Sequence, residues 1–343
     1  MRFDYNTESV EVFTISSRTT DAAEYWPNIE QVIQWSDQYE ATGILVFEGN
    51  DTFVSPWIAA HAALANTKSL APLVAVNPVY MHPFAAAKMV STFAYLYGRR
   101  TYLNMITGTA LRYLEALDDP LDKEQRYVRL REYSDLIQLL VSSQGRPVTY
   151  EGRYYTTKNL KLDPPVPEEL QPVFYIAGQS EGAVETARAI DAVHMQMLSS
   201  ELDEGIKPGA AGIHLGIVTR EDGDEAWEVA EQLFPADKSG QRMQAFSMGN
   251  TDSVWKQRMM MAAELEEGAR EGFWLEPFRN FKADCPYFIG SREATATLIV
   301  GMVRNGVRHI ILDAPRVERE FTEIKEACAL AGELLAAATP ASL

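Results

Sequence analysis

Two rhythms of hydrophobic and polar residues alternate along the chain. Short runs rich in β-branched and aromatic residues predict strands, and longer stretches with apolar residues every three or four positions predict helices. The first run, Ser9-Val10-Glu11-Val12-Phe13-Thr14-Ile15, precedes a helical stretch over about residues 22–39. Strands over 42–48, 72–76 and 100–107 follow, with helices over about 56–64 and 83–97 between them. A long helix over about 123–142 carries Tyr127, Leu130, Tyr133, Ile137 and Leu140 on one side. Behind it lies a polar stretch, 145–167, whose centre, 149–156, reads as a hairpin with a glycine turn. The alternation resumes with strands over 173–177, 192–197, 212–218 and 307–313, helices from about Glu181 and over 225–233, and a last helix ending near residue 337. Eight strands alternating with helices, without a compositional break, predict one α/β domain over 1–343, a (β/α)8 TIM barrel. Its insertions fall after the fourth helix, at about 145–167, and between strands seven and eight, at about 234–286. The second is rich in methionine and aromatic residues, and connections of that length are usually functional lids or disordered.

Charge narrows the range of partners. Against 31 basic residues stand 48 acidic ones, a formal charge of −17 on 343 residues. Such a surface repels phosphate chains, so neither nucleic acid nor an anionic membrane is an expected partner. Cys285 and Cys328 are too few for a disulfide framework, and no Cys-x-x-Cys, His-x-His or His-Glu-x-x-His spacing marks a metal site. The opening residues, Met1-Arg2-Phe3-Asp4-Tyr5-Asn6-Thr7-Glu8, lack the basic start and apolar run of a signal peptide. The expectation is a soluble cytoplasmic protein without a metal.

Barrel enzymes carry their chemistry on the loops that follow the strands. There, Gly178-Gln179-Ser180-Glu181-Gly182 opens a helix after the fifth strand, where backbone N–H groups and a hydroxyl can meet a phosphate. The same pattern also suits an ordinary helix cap. His214, midway along strand seven, faces either the barrel mouth or the core. Glu48 and Asp313, at the ends of strands two and eight, are a conceivable carboxylate pair for glycoside hydrolysis.

The stretch Gly98-Arg99-Arg100-Thr101-Tyr102-Leu103-Asn104-Met105-Ile106-Thr107-Gly108 resembles the fourth-strand signature of the bacterial luciferase-like flavin monooxygenases, nearest to the alkanesulfonate monooxygenase branch. Glu124-Gln125-Arg126-Tyr127, Tyr150-Glu151-Gly152-Arg153-Tyr154-Tyr155, Ile176-Ala177-Gly178-Gln179-Ser180 and Phe288-Ile289-Gly290-Ser291 extend the likeness over nearly the whole chain. The resemblance implies an enzyme that takes reduced FMN from a separate NAD(P)H-dependent flavin reductase and oxygenates a small-molecule substrate through a flavin peroxide. By motif position, Asn104 and Thr107 lie by the flavin, and Tyr127, Gly178, Gln179 and Ser180 hold its phosphate. The family also implies a homodimer or homotetramer built on the helices after strands two and three.

The catalytic positions depart from that branch. Its cysteine after strand two, arginine and histidine on strand seven and tyrosine after strand eight correspond here to Thr52, His214, Gly216 and Ala314. The cations left for an anionic substrate are Arg18, Arg279, Lys282 and Arg316. His214 is the expected proton-transfer or hydrogen-bonding residue, and Arg279 the mobile anion clamp. The alternatives are a deazaflavin-dependent oxidoreductase of the same fold and a flavin-binding protein without monooxygenase activity.

Overall fold

The structure is a computed structural model that describes residues 1–6, 8–16, 19, 21–108, 110–199, 211–264, 272–313 and 317–337. In chain order the first elements are β1 (Phe3–Tyr5), β2 (Glu8–Ile15), α1 (Ala22–Gln38), β3 (Gly43–Val46), α2 (Pro56–Asn66), β4 (Ala71–Val76) and α3 (Pro83–Tyr97). Next come β5 (Tyr102–Met105), α4 (Leu111–Ala116), α5 (Lys123–Ser142), β6 (Val148–Glu151), β7 (Thr156–Leu160), β8 (Val173–Ala177), α6 (Glu181–Ala189) and β9 (Val193–Met197). Then follow β10 (Gly212–Arg220), α7 (Gly223–Leu233), α8 (Lys238–Met248), α9 (Val254–Glu264), β11 (Phe273–Trp274) and α10 (Glu276–Arg279). The last are β12 (Tyr287–Ser291), α11 (Arg292–Arg304), β13 (His309–Asp313) and α12 (Glu318–Ala337). Taken as β2, β3, β4, β5, β8, β9, β10 and β13, the parallel strands and their helices make the (β/α)8 barrel that the hydrophobic pattern predicts.

Two compact units are distinguished, one formed by 44–194 and the other by 1–43 with 195–343. The first holds β3, β4, β5 and β8 in that order, with Leu73 beside Tyr102 and Leu103 beside Phe174 in parallel register. Every residue of β4 is buried, as expected of a parallel strand covered on both faces. A capping box starts α5: the Gln125 N–H donates to Asp122 Oδ1 at 2.8 Å, and the Asp122 N–H donates to Gln125 Oε1 at 3.2 Å. Leu130, Tyr133, Ile137 and Leu140 form the buried stripe of this helix, whereas Tyr127, on the same predicted face, is left partly exposed. The expected hairpin is the antiparallel pair β6 and β7.

The second unit orders its strands β9, β10, β13, β2, all parallel, with β1 antiparallel on the edge of β2. The nine-residue β10 is shared lengthwise: β13 pairs with its first half, and β12 pairs in parallel with its second half. Thus Phe288-Ile289-Gly290-Ser291, which the hydrophobic pattern does not single out as a strand, is a further strand beside the eight. Within the 234–286 insertion, α8, α9, β11 and α10 are regular elements. Thr14 Oγ1 lies 2.6 Å from Ser36 Oγ of α1, so Thr14 points toward that helix. Phe13, with Ile311, His214 and Met197 aligned to it across the register, therefore projects from the opposite face.

Candidate active site

The glycine-rich turn after β8 leads directly into α6. Ser180 is the N-cap of α6, its Oγ accepting from the Ala183 N–H at 3.3 Å. The same oxygen lies 3.0 Å from the Tyr127 hydroxyl, which α5 brings across from the side. Gly178 adopts φ +145°, a conformation that L side chains rarely take, and a Cβ there would come within 3.1 Å of the Ala183 Cβ. Its carbonyl accepts from His194 at 2.7 Å, which makes Nε2 the protonated ring nitrogen. Two residues into the helix, Gly182 lets the Tyr127 ring pack close against α6, since a Cβ would stand 2.7 Å from the ring. A groove of about 510 Å³ opens here, with Tyr127, Ser180, Lys123, Arg131 and Glu185 on its walls. The helix dipole, two hydroxyls and nearby cations suit a phosphate dianion without a dedicated lysine.

Of the residues expected to hold phosphate, the fold brings Tyr127, Gly178 and Ser180 together, with Gln179 in the same turn. The sequence showed Gly182 only as part of the turn motif and gave His194 no part in the site. A glycine inside the first turn of a helix, where it costs stability, was the available signal for Gly182. His194 gave none, because its partner is a backbone carbonyl. Asn104 lies in β5, aligned to Tyr175 of β8, and Thr107 follows two residues after the strand's end. The Asn104 Oδ1 is buried and has no hydrogen-bond partner, an orphaned acceptor that a bound ring N–H would satisfy. These observations fit a flavin phosphate and its ring.

In the other unit, His214 is 6% exposed and its Nε2 is buried without a partner. Burial pushes its pKa down to about 4, against the opposing pull of Asp284, so the imidazole is neutral at physiological pH. Arg279 forms a 3.6 Å ion pair with Glu276, one turn earlier on α10, and its side chain is 48% exposed. Lys282 pairs with Asp237 at 3.0 Å. Arg18, Ala314 and Arg316 lie outside the described residues. Thr52, at the place of the alkanesulfonate branch's cysteine, donates to the Gly49 carbonyl at 2.9 Å and closes a turn. Glu48 follows β3, where burial lifts its pKa to about 7 against a backbone hydrogen bond from Gly49.

A (β/α)8 barrel with a glycine-rich turn capped by Ser180 after β8 defines the class: an α/β barrel of the kind that carries its sites on the loops after the strands. Residues 9–309 match the luciferase-like monooxygenase family, and the chain belongs to that family. It is 30% identical over 308 residues to the 4-(gamma-L-glutamylamino)butanoyl-[BtrI acyl-carrier protein] monooxygenase BtrO of Niallia circulans, covering 87% of this chain and 89% of that protein. Among solved structures it resembles the riboflavin lyase RcaE, seen with modified FMN and substrate riboflavin, at a TM-score of 0.70 and 14% identity over 96% of this chain and 91% of that one. A second resemblance is to an F420-dependent secondary alcohol dehydrogenase in complex with an F420-acetone adduct, at a TM-score of 0.64 and 17% identity over 94% of this chain and 99% of that one. The chain is thus an enzyme of a monooxygenase family, and the hydrolase reading of Glu48 and Asp313 is set aside. No helix among the described residues is long and apolar enough to cross a membrane.

Proposed function

We propose that this enzyme is a two-component monooxygenase that uses reduced FMN and dioxygen to oxygenate a small organic substrate, with the flavin supplied by a separate NAD(P)H-dependent reductase. The observation that carries the reading is the cradle in which the Tyr127 hydroxyl and the Ser180 cap meet at the start of α6. Tyr127, Ser180 and the backbone of Gly178 and Gln179 would hold the phosphate, and Asn104 and Thr107 the ring. When bound, reduced FMN supplies the two electrons with which one atom of dioxygen enters the substrate and the other leaves as water.

The protein's own part is binding, orientation and exclusion of water. His194, through the Gly178 carbonyl, holds the turn that presents the backbone N–H groups. His214 offers a neutral imidazole nitrogen in a dry setting, where it makes a hydrogen bond to the substrate without carrying charge, and taking up a proton would charge the ring for the length of that step. Arg279, to clamp an anion, would have to leave Glu276. Self-association as a homodimer or homotetramer is supported by the apolar residues exposed on α2 and α3, among them Ile58, Leu96 and Tyr95, the last 73% exposed. The Niallia circulans relative suggests acylated amines as the first substrates to try.

The test is incorporation of labelled dioxygen by the full chain supplied with a flavin reductase, NAD(P)H and FMN, against the same assay with reduced deazaflavin. Label in product only with FMN supports the reading. Turnover that needs deazaflavin and no oxygen overturns it in favour of the dehydrogenase alternative, and FMN binding with no product under any supply favours a flavin-binding protein.

A further inference from the structure

The groove beside the Tyr127 and Ser180 hydroxyls is larger than a phosphate group needs. Its volume of about 510 Å³ lies in the range of roughly 300–1,000 Å³ that whole small-molecule ligands occupy. Its walls are the N-terminal halves of α5 and α6. Lys123, Tyr127 and Arg131 recur every four residues and share one face of α5, and Val128 beside them is 46% exposed. Glu181 and Glu185 stand four residues apart on α6, with Thr186 next to Glu185. Glu185 lies about 7.5 Å along the helix axis from Ser180, so a phosphate held at the cap leaves it uncovered. Thr186 is only 5% exposed, yet it lines the groove and its hydroxyl makes no hydrogen bond among the described residues. A buried hydroxyl without a partner on a groove wall points to an occupant.

The two walls differ in charge, and that difference selects the occupant's chemistry. The α6 wall presents carboxylates, which accept hydrogen bonds and repel anions. The α5 wall presents Lys123 and Arg131, the latter also acting on Asp135 one turn further. A tail of several carboxylates attached to the phosphate would run along Glu181 and Glu185 and be repelled. An adenylate is a different extension. Joining it to the flavin phosphate turns a dianion into two singly charged phosphates, so the total charge does not grow. The outer phosphate has Arg131 to meet, the ribose O–H groups have acceptors in Glu185 and Thr186, and the purine face can cover Val128.

We infer that the groove between α5 and α6 takes the adenylate half of FAD, so that this enzyme binds FAD as well as FMN. The inference rests on the flavin reading of the Tyr127 and Ser180 cradle and adds a second cofactor to it. Glu185 and Thr186 serve the adenylate alone, since both lie past the place of the FMN phosphate.

Anaerobic calorimetric titration of the full chain with reduced FMN and with reduced FAD reads binding without turnover. The wild type is expected to bind FAD at least as tightly as FMN. Glu185→Gln and Thr186→Val should each weaken FAD by about two- to tenfold, the loss of one hydrogen bond, and leave FMN affinity unchanged. Thr186→Val removes a hydroxyl that has no partner in the protein, so its FMN affinity and thermal midpoint report an intact fold. Weaker binding of FAD than of FMN by the wild type, equal losses for both flavins, or FAD affinity unchanged in both variants overturns the inference. If FMN binds and FAD does not, the adenylate site alone falls; if neither binds, the flavin reading of the cradle falls with it.

Discussion

Replacing Tyr127 by Phe removes one oxygen and leaves the ring on Gly182. The lost contact is the 3.0 Å hydrogen bond to Ser180, partly buried, and its net contribution to stability is about 0.5–1.5 kcal/mol. If the hydroxyl also donates to a phosphate dianion, the lost bond is charge-assisted and contributes about 1.5–3 kcal/mol to binding, a roughly 10- to 100-fold loss of FMN affinity. The two effects separate because only one depends on the ligand's phosphate. Anaerobic calorimetric titration with reduced FMN and with reduced riboflavin, on wild type and Tyr127→Phe, is the assay. The expected outcome is a large loss for FMN, little change for riboflavin, and a denaturation midpoint lowered only slightly. Ser180→Ala should behave similarly, and the double variant should lose less than the sum of the two, since one oxygen positions the other. Equal losses for both flavins would show that Tyr127 supports the fold around the site rather than the phosphate, and the cradle argument would fall.

Other expectations follow from single contacts. Gly182→Ala places a methyl 2.7 Å from the Tyr127 ring and should weaken FMN binding by displacing the phenol, although alanine favours the helix; flavin titration against thermal stability separates the two effects. His214 has a folded pKa of about 4 against 6.5 unfolded, so the unfolded chain binds the extra proton between those values and stability must fall as pH drops through that window. The contribution is on the order of 3 kcal/mol, and denaturant unfolding of wild type and His214→Gln at neutral and mildly acidic pH should show the variant losing less on acidification. Glu48 has the opposite sign: its folded pKa of about 7 lies above the ordinary 4.5, so stability should decline as pH rises from one to the other, and Glu48→Gln should flatten that decline. Arg220 Nη1 donates to Glu320 Oε2 at 2.9 Å in a pair whose side chains are almost fully buried. Glu320→Ala should therefore destabilise by about 3–5 kcal/mol, read by chemical denaturation, because a guanidinium is left buried without its partner.

Local chemistry carried much of this protein in its sequence. The alternation of short apolar runs with helical stretches was enough for the eight barrel strands, because every parallel strand must bury both faces and every crossover helix one. The stripe of α5, the β6–β7 hairpin and the Ser180 cap were legible for the same reason: each depends on residues a few positions apart. The strand β12 was not, since Phe288-Ile289-Gly290-Ser291 becomes a strand only by pairing with the far half of β10, about seventy residues earlier. Asn104 stood out as a motif residue, but only its burial shows that its carbonyl oxygen lacks a partner.

The sequence by itself determined the fold class and the order of its elements, since periodicity and turn chemistry act over short spans. Tertiary structure decided the rest. It brought Tyr127 to Ser180 across 53 positions, fixed Gly178 through His194, committed Arg279 to Glu276, and buried His214 enough to make it neutral. Distance and desolvation, which determine what an imidazole or a carboxylate can do, are properties of the packed chain and not of residue order.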